Sequence, residues 1–166
     1  MTHKNNVIYI VEEAAAHREW LTRHLAELGY VVEAFASAAA FQTEAPIVRP
    51  CCLLLDVSLD DPSGFELQFR LHQTGAGVPI VFMTADGDIA LGVRAMKAGA
   101  IDVLTKPLRT DELVPALERA HAKSCEWHGA QLVQRQACAL YARLTPRECE
   151  VFALVVRGSR NKQIAA

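Results

Sequence analysis

The chain has 166 residues, enough for one ordinary domain and part of a second, because domains usually run about 100 to 200 residues, and too few for a large multidomain enzyme. Its 51% hydrophobic and 22% charged residues support a packed core and exclude extensive disorder. The net charge of −2 hides an asymmetry: residues 1–128 carry 11 Lys and Arg against 17 Asp and Glu, whereas residues 129–166 carry 6 against 2. A basic end after an acidic domain suits either nucleic acid contact or a solvated helix surface.

The apolar runs fall short of the roughly 18 residues needed to cross a bilayer, and the N-terminus lacks a signal-peptide core, so no membrane association and a cytoplasmic location are expected. Cys51, Cys52, Cys125, Cys138 and Cys149 form an odd set without a C-x-x-C pair and are read as reduced, structural thiols. The six histidines show no metal-ligand spacing.

In chain order, short β-branched or apolar runs occupy Val7 to Val11, Tyr30 to Phe35, Cys51 to Val57, Pro79 to Thr84 and Ala100 to Leu104, each separated by a helical segment. Leu21, Leu25 and Leu28 mark one face of the first helix; Ile89, Val93 and Met96 the fourth; Leu113, Leu117 and Ala120 the fifth. Each face is expected to pack on the sheet. Alternating strand and helix with right-handed crossovers predicts an α/β fold, a doubly wound five-stranded parallel sheet.

Residues 111 to about 140 read as a long helix, or a helix with a connector, weakened by Pro115 and Gly129. Thr145, Pro146 and Glu148 then form a capping box that opens a further helix, with Gly158 expected to end it and Asn161 able to cap another.

The strand ends carry the chemistry. Glu12 and Glu13 close the first strand, Asp56 the third, Thr84 the fourth, and Lys106 follows the fifth. In such sheets ligands sit at the carboxyl ends of the strands, so these groups should share one rim. Carboxylates about 4 Å apart repel by about 4 kcal/mol at an effective dielectric near 20, and so require cations. Lys106 supplies one, and oxygen-only ligands suit Mg²⁺ as the second. The chemistry implied is phosphoryl transfer to Asp56 as nucleophile, with Lys106 and the Thr84 hydroxyl on the phosphoryl oxygens.

These residues, with the segments Val7 to Glu13, Leu54 to Gly64, Val81 to Asp88, Ala95 to Ala100 and Leu104 to Pro107, resemble the receiver domain of two-component response regulators over about residues 5 to 125. The ending from Leu144 looks like the start of a helix-turn-helix of the LuxR type. Together they resemble the FixJ/NarL-like branch.

The resemblance implies a flavodoxin-like sheet of order 2-1-3-4-5, a receiver at 1–125, a linker helix at 126–143, and an incomplete all-α DNA-binding region at 144–166. It implies Asp56 as phosphoacceptor; Glu12, Glu13, Asp56 and the Ser58 backbone carbonyl around Mg²⁺, with Glu12 acting through water; and Thr84 and Lys106 as phosphoryl-sensing groups. It also implies a histidine kinase as phosphoryl source, a homodimer through the face of the fourth helix and fifth strand, and no enzymatic activity beyond the domain's own phosphorylation and dephosphorylation.

The sequence departs from this pattern at several positions. Two Glu stand where Asp is usual, each adding about 1.5 Å of reach, and Val103 occupies a switch position that is usually aromatic. Asp60-Asp-Pro replaces a more usual turn, and Asp86 adds a negative charge nearby. The alternative reading is therefore a pseudo-receiver that acts by protein contact without phosphate. A phosphatase with an Asp nucleophile is disfavoured because Ser58 stands where that class has its second Asp. A flavin site is disfavoured by Glu-Glu-Ala after Val11. Arg157, Arg160 and Lys162 are candidate DNA-phosphate contacts, although the LuxR-like segment stops before the helix that would enter the major groove, so specific DNA binding is expected only of a longer chain.

Overall fold

The structure, a computed structural model, describes residues 7–59, 63–75, 77–85, 87 and 89–157. The Asp60-Asp-Pro turn, Asp86, Gly158, Arg160, Asn161 and Lys162 lie outside them. The chain divides into two compact units, Met1–His128 and Gly129–Ala166.

In the first unit the strands are β1 (Val7–Val11), β2 (Val31–Phe35), β3 (Cys51–Asp56), β4 (Ile80–Thr84) and β5 (Asp102–Thr105). They form one parallel sheet in the order β2-β1-β3-β4-β5. The helices are α1 (Ala15–Glu27), α2 (Ala38–Glu44), α3 (Gly64–Gln73), α4 (Ile89–Lys97) and α5 (Thr110–Tyr141), the last of which extends beyond the unit. The two-residue alternation of the strands sorts the core into two layers. Ile8, Ile10, Cys52, Leu54, Val81, Met83 and Leu104 pack with Leu21 and Leu25 of α1 and with Leu113, Ala116, Leu117 and Ala120 of α5. Tyr9, Val11, Leu53, Leu55, Ile80 and Phe82 pack with Phe41 of α2, Leu67 of α3 and Ala95 of α4. β3 is buried along its whole length, as a strand covered on both faces must be.

One expected helix face is reversed. Ile89, Val93 and Met96 of α4 face solvent, at 81%, 47% and 49% exposure, while Ala95 is buried and Leu91 and Gly92 are half-buried. Ala95 is the residue of α4 seated in the core, and the larger apolar side chains of Ile89, Val93 and Met96 point outward. Apolar spacing along a helix identifies a stripe but not the surface it meets.

The long segment after β5 is one helix, with no connector at Pro115 or Gly129. Pro115 removes one backbone donor, but the neighbouring Leu113, Ala116 and Leu117 are buried against the sheet and hold that turn in place. Ser124, fully buried on the same helix, accepts a hydrogen bond from the Cys51 amide at 3.0 Å and so ties α5 to the start of β3.

In the second unit α6 (Pro146–Val156) begins as expected. Thr145 is the N-cap, Pro146 opens the first turn, and Glu148 reaches back to the Thr145 amide at 2.7 Å. Arg157 is the C-cap and is exposed. Among the described residues no helix is long and apolar enough to cross a membrane.

Candidate functional site

The sheet brings strand ends together because parallel strands in register finish side by side. Val11 pairs with Leu55, and Asp56 pairs with Met83, so Glu12, Asp56 and Thr84 reach the same edge. The Lys106 amide extends the β4–β5 ladder by donating to the Thr84 carbonyl at 2.7 Å. Glu12, Asp56 and Lys106 also continue the alternation of Ile8 and Ile10, Cys52 and Leu54, and Leu104, all on the α1/α5 face. Three polar groups therefore converge at the end of one apolar face.

The side chains meet there. Lys106 Nζ donates to Glu12 Oε2 and to Asp56 Oδ2, each at 2.7 Å. Glu12, Asp56 and Thr84 are buried at 2%, 6% and 4% exposure. The Ser58 amide donates to Asp56 Oδ1 at 2.9 Å, so both oxygens of Asp56 are held. Ser58 thus touches Asp56 through its N–H, an atom separate from the carbonyl expected at Mg²⁺.

Glu12 is held more firmly than the sequence suggested. Its Oε1 accepts from the Ala14 amide at 3.1 Å, and its Oε2 also meets Nδ1 of His17 at 2.6 Å. Arg18 Nη1 donates to the carbonyls of Glu12 at 2.7 Å and Glu13 at 2.9 Å, clamping the turn after β1. His17 and Arg18 were not foreseen. The available signal was their place in the first turn of α1, within reach of the strand end that precedes it.

Burial alone would raise the Glu12 carboxyl, but hydrogen bonds from Lys106, His17 and the Ala14 amide hold it below the ordinary 4.5. Burial likewise opposes the Lys106 charge, and the bonds to Asp56 and Glu12 outweigh it, so the amine is raised above its ordinary 10.5.

Glu13, next along the chain, has the opposite parity and is exposed. Val103 is half-buried in the α2/α3/α4 layer and pairs with Phe82 across β4 and β5, so an aliphatic side chain fills the place expected of an aromatic. Among the described residues no three His, Cys, Asp or Glu side chains are grouped to hold a metal ion. The hard oxygen donors at the rim nevertheless suit Mg²⁺, which is commonly bound by one or two carboxylates and completes its shell with water and phosphate oxygens.

Residues 8–118 match the response regulator receiver domain, and residues 142–166 match the bacterial regulatory proteins of the LuxR family. The chain belongs to the response regulators. It is 36% identical to the response regulator protein TmoT of Ectopseudomonas mendocina, over 99% of this chain and 75% of that protein. It is 35% identical to the transcriptional regulatory protein FixJ of Bradyrhizobium diazoefficiens, over 99% of this chain and 80% of the relative. The solved structure of the response regulator StyR superposes with a TM-score of 0.83 at 40% identity, covering 97% of this chain and 81% of that one.

A response regulator of this kind acts in transcription, and the assignment carries with it a histidine kinase as partner of the receiver and DNA as partner of the LuxR-type region. Such proteins are regulators and not classical enzymes. The pseudo-receiver alternative finds no support in these relationships.

Proposed function

We propose that Asp56 is the phosphoacceptor of this cytoplasmic response regulator and that its phosphorylation controls the LuxR-type region. The observation that carries the reading is the shared ammonium of Lys106, 2.7 Å from both Glu12 and Asp56. One Asp56 oxygen attacks phosphorus, the donor's bond to phosphorus breaks, and an acyl phosphate forms. The new phosphoryl oxygens take their hydrogen bonds from Lys106, already fixed at the rim, and from the Thr84 hydroxyl at the end of β4. Glu12, Glu13, Asp56 and the Ser58 carbonyl would hold Mg²⁺, with Glu12 acting through water; when bound, it neutralises charge on the incoming phosphoryl group. The domain's catalysis is confined to gaining and losing its own phosphoryl group.

The readout surface proposed is the face of α4 and β5. The solvent-facing row of Ile89, Val93 and Met96 is apolar enough to be covered by the same row of a second copy. At the other end of the chain, residues 144–166 would supply the first part of the helix-turn-helix, with Arg157, Arg160 and Lys162 as phosphate contacts and the base-reading helix outside the segment. The domain limits proposed are 1–125, 126–143 and 144–166.

Incubation with Mg²⁺ and a small phosphodonor tests the central claim by intact mass. A gain of one phosphoryl group, abolished in Asp56→Asn, is the expected result; no gain over a range of Mg²⁺ concentrations would refute it.

A further inference from the structure

We infer that His17 is a positioning residue for this site: its ring fixes the Glu12 carboxylate and thereby sets how well the rim takes up Mg²⁺. The inference rests on the reading of Asp56 given above and adds to it a residue outside the strand-end set.

Glu12 has one more rotatable bond than the Asp usual at such a position, and it is buried. An extra rotor in a buried acid must be held by its partners, or its carboxylate spreads over several positions. Glu12 has three donors: the Ala14 amide, Lys106 and His17. The Ala14 amide binds only Oε1, and Lys106 is shared with Asp56. His17 is therefore the side chain among these donors that acts on Glu12 without also binding Asp56. Because an ionised carboxylate only accepts, Nδ1 carries the ring proton in this contact.

The ring is itself fixed. His17 lies nearly parallel to the indole of Trp20, with centroids 6.0 Å apart and planes 8° apart; Trp20 in turn stacks on His24 at 5.0 Å and 11°. His24 Nε2 is 3.0 Å from the hydroxyl of Thr110, the first residue of α5. Positions 17, 20 and 24 follow the i, i+3, i+7 spacing of one helix face. The stack thus runs from Glu12 along α1 to the start of α5 and holds the imidazole in place before Glu12 accepts from it. The hydrogen bond of His17 is to Glu12, so its effect on the rim passes through that carboxylate.

Trp20 is a built-in reporter. In a Trp127→Phe background it is the single tryptophan, and its emission is followed while Mg²⁺ alone is added. His17→Ala is expected to weaken Mg²⁺ binding about ten- to hundredfold, the loss that follows removal of a partner that orients a metal-binding carboxylate. His17→Asn, whose side-chain amide reaches the place of Nδ1, is expected to recover most of that loss. In metal-free protein the Ala14 amide resonance should move in His17→Ala and return towards its wild-type position in His17→Asn, a signature that a purely structural role for the ring would not produce. Thermal melting confirms that both variants fold.

Unchanged or tighter Mg²⁺ binding in His17→Ala, or no recovery in His17→Asn, overturns the inference. So does a wild-type protein that takes up no Mg²⁺, and in that case the Asp56 reading is judged separately by the phosphoryl mass gain of wild type against Asp56→Asn.

Discussion

Replacing Lys106 with Met keeps most of the side-chain volume and removes the charge between two buried carboxylates. Their contacting oxygens each lie 2.7 Å from one nitrogen, so they are at most twice that distance apart. At that separation two unit charges repel by about 3 kcal/mol at an effective dielectric near 20. Losing one member of a buried charge cluster commonly costs about 3 to 5 kcal/mol. The Lys106 side chain is 21% exposed, so water softens the loss and the lower figure applies. Lys106→Met is therefore expected to destabilise the receiver by about 3 kcal/mol, lowering its urea midpoint by roughly 1 to 2 M. In an Asp56→Asn background one of the carboxylates is already gone, and the same substitution should cost only about 1 kcal/mol. The double-mutant cycle thus predicts a coupling near 2 kcal/mol. An unchanged midpoint in Lys106→Met, or an equal cost in both backgrounds, would show that the charges do not act as one cluster.

The acid and alkaline limbs of stability follow from the same groups. The Glu12 carboxyl is lowered on folding, so its contribution is present above its ordinary 4.5 and is lost as pH falls through the lowered value; Glu12→Gln should flatten the acid limb of a urea-midpoint profile. The Lys106 amine is raised, so its contribution is full below 10.5 and is lost as pH rises through the raised value. Gly64→Ala would place a Cβ 2.7 Å from the Asp56 carbonyl oxygen, a backbone atom that cannot swing aside, and should cost about 1 to 3 kcal/mol in melting experiments while slowing phosphoryl uptake. A thiol reagent added to native protein should modify exposed Cys125 and Cys138 quickly and spare buried Cys51, whose thiol is pushed up to about 11 by burial, and Cys52, which burial also raises. Placing Glu at Val93 and Met96 should leave phosphoryl uptake intact but abolish dimer formation in sedimentation, because the α4 row would then carry like charges at its centre.

Much of this protein follows from its chain alone. Strands interrupted by helices can join only as parallel neighbours through crossovers, and that topology brings the strand ends to one edge. The two-residue period of β1, β3 and β5 then assigns Glu12, Asp56 and Lys106 to one face and Glu13 to the other, so the convergence was already written in the parity of the strands. The capping box at Thr145 was legible for a similar reason, because it is made within four residues. What needed the tertiary structure were contacts whose partner lies on another element or beyond a turn. The row of Ile89, Val93 and Met96 looks inward by spacing and faces outward because α4 turns Ala95 to the core instead. His17 meets Glu12 only because the turn clamped by Arg18 folds the first turn of α1 back over the end of β1. Periodicity describes an element by itself; which side of it is covered, and by what, is decided by the volume and charge of its neighbours.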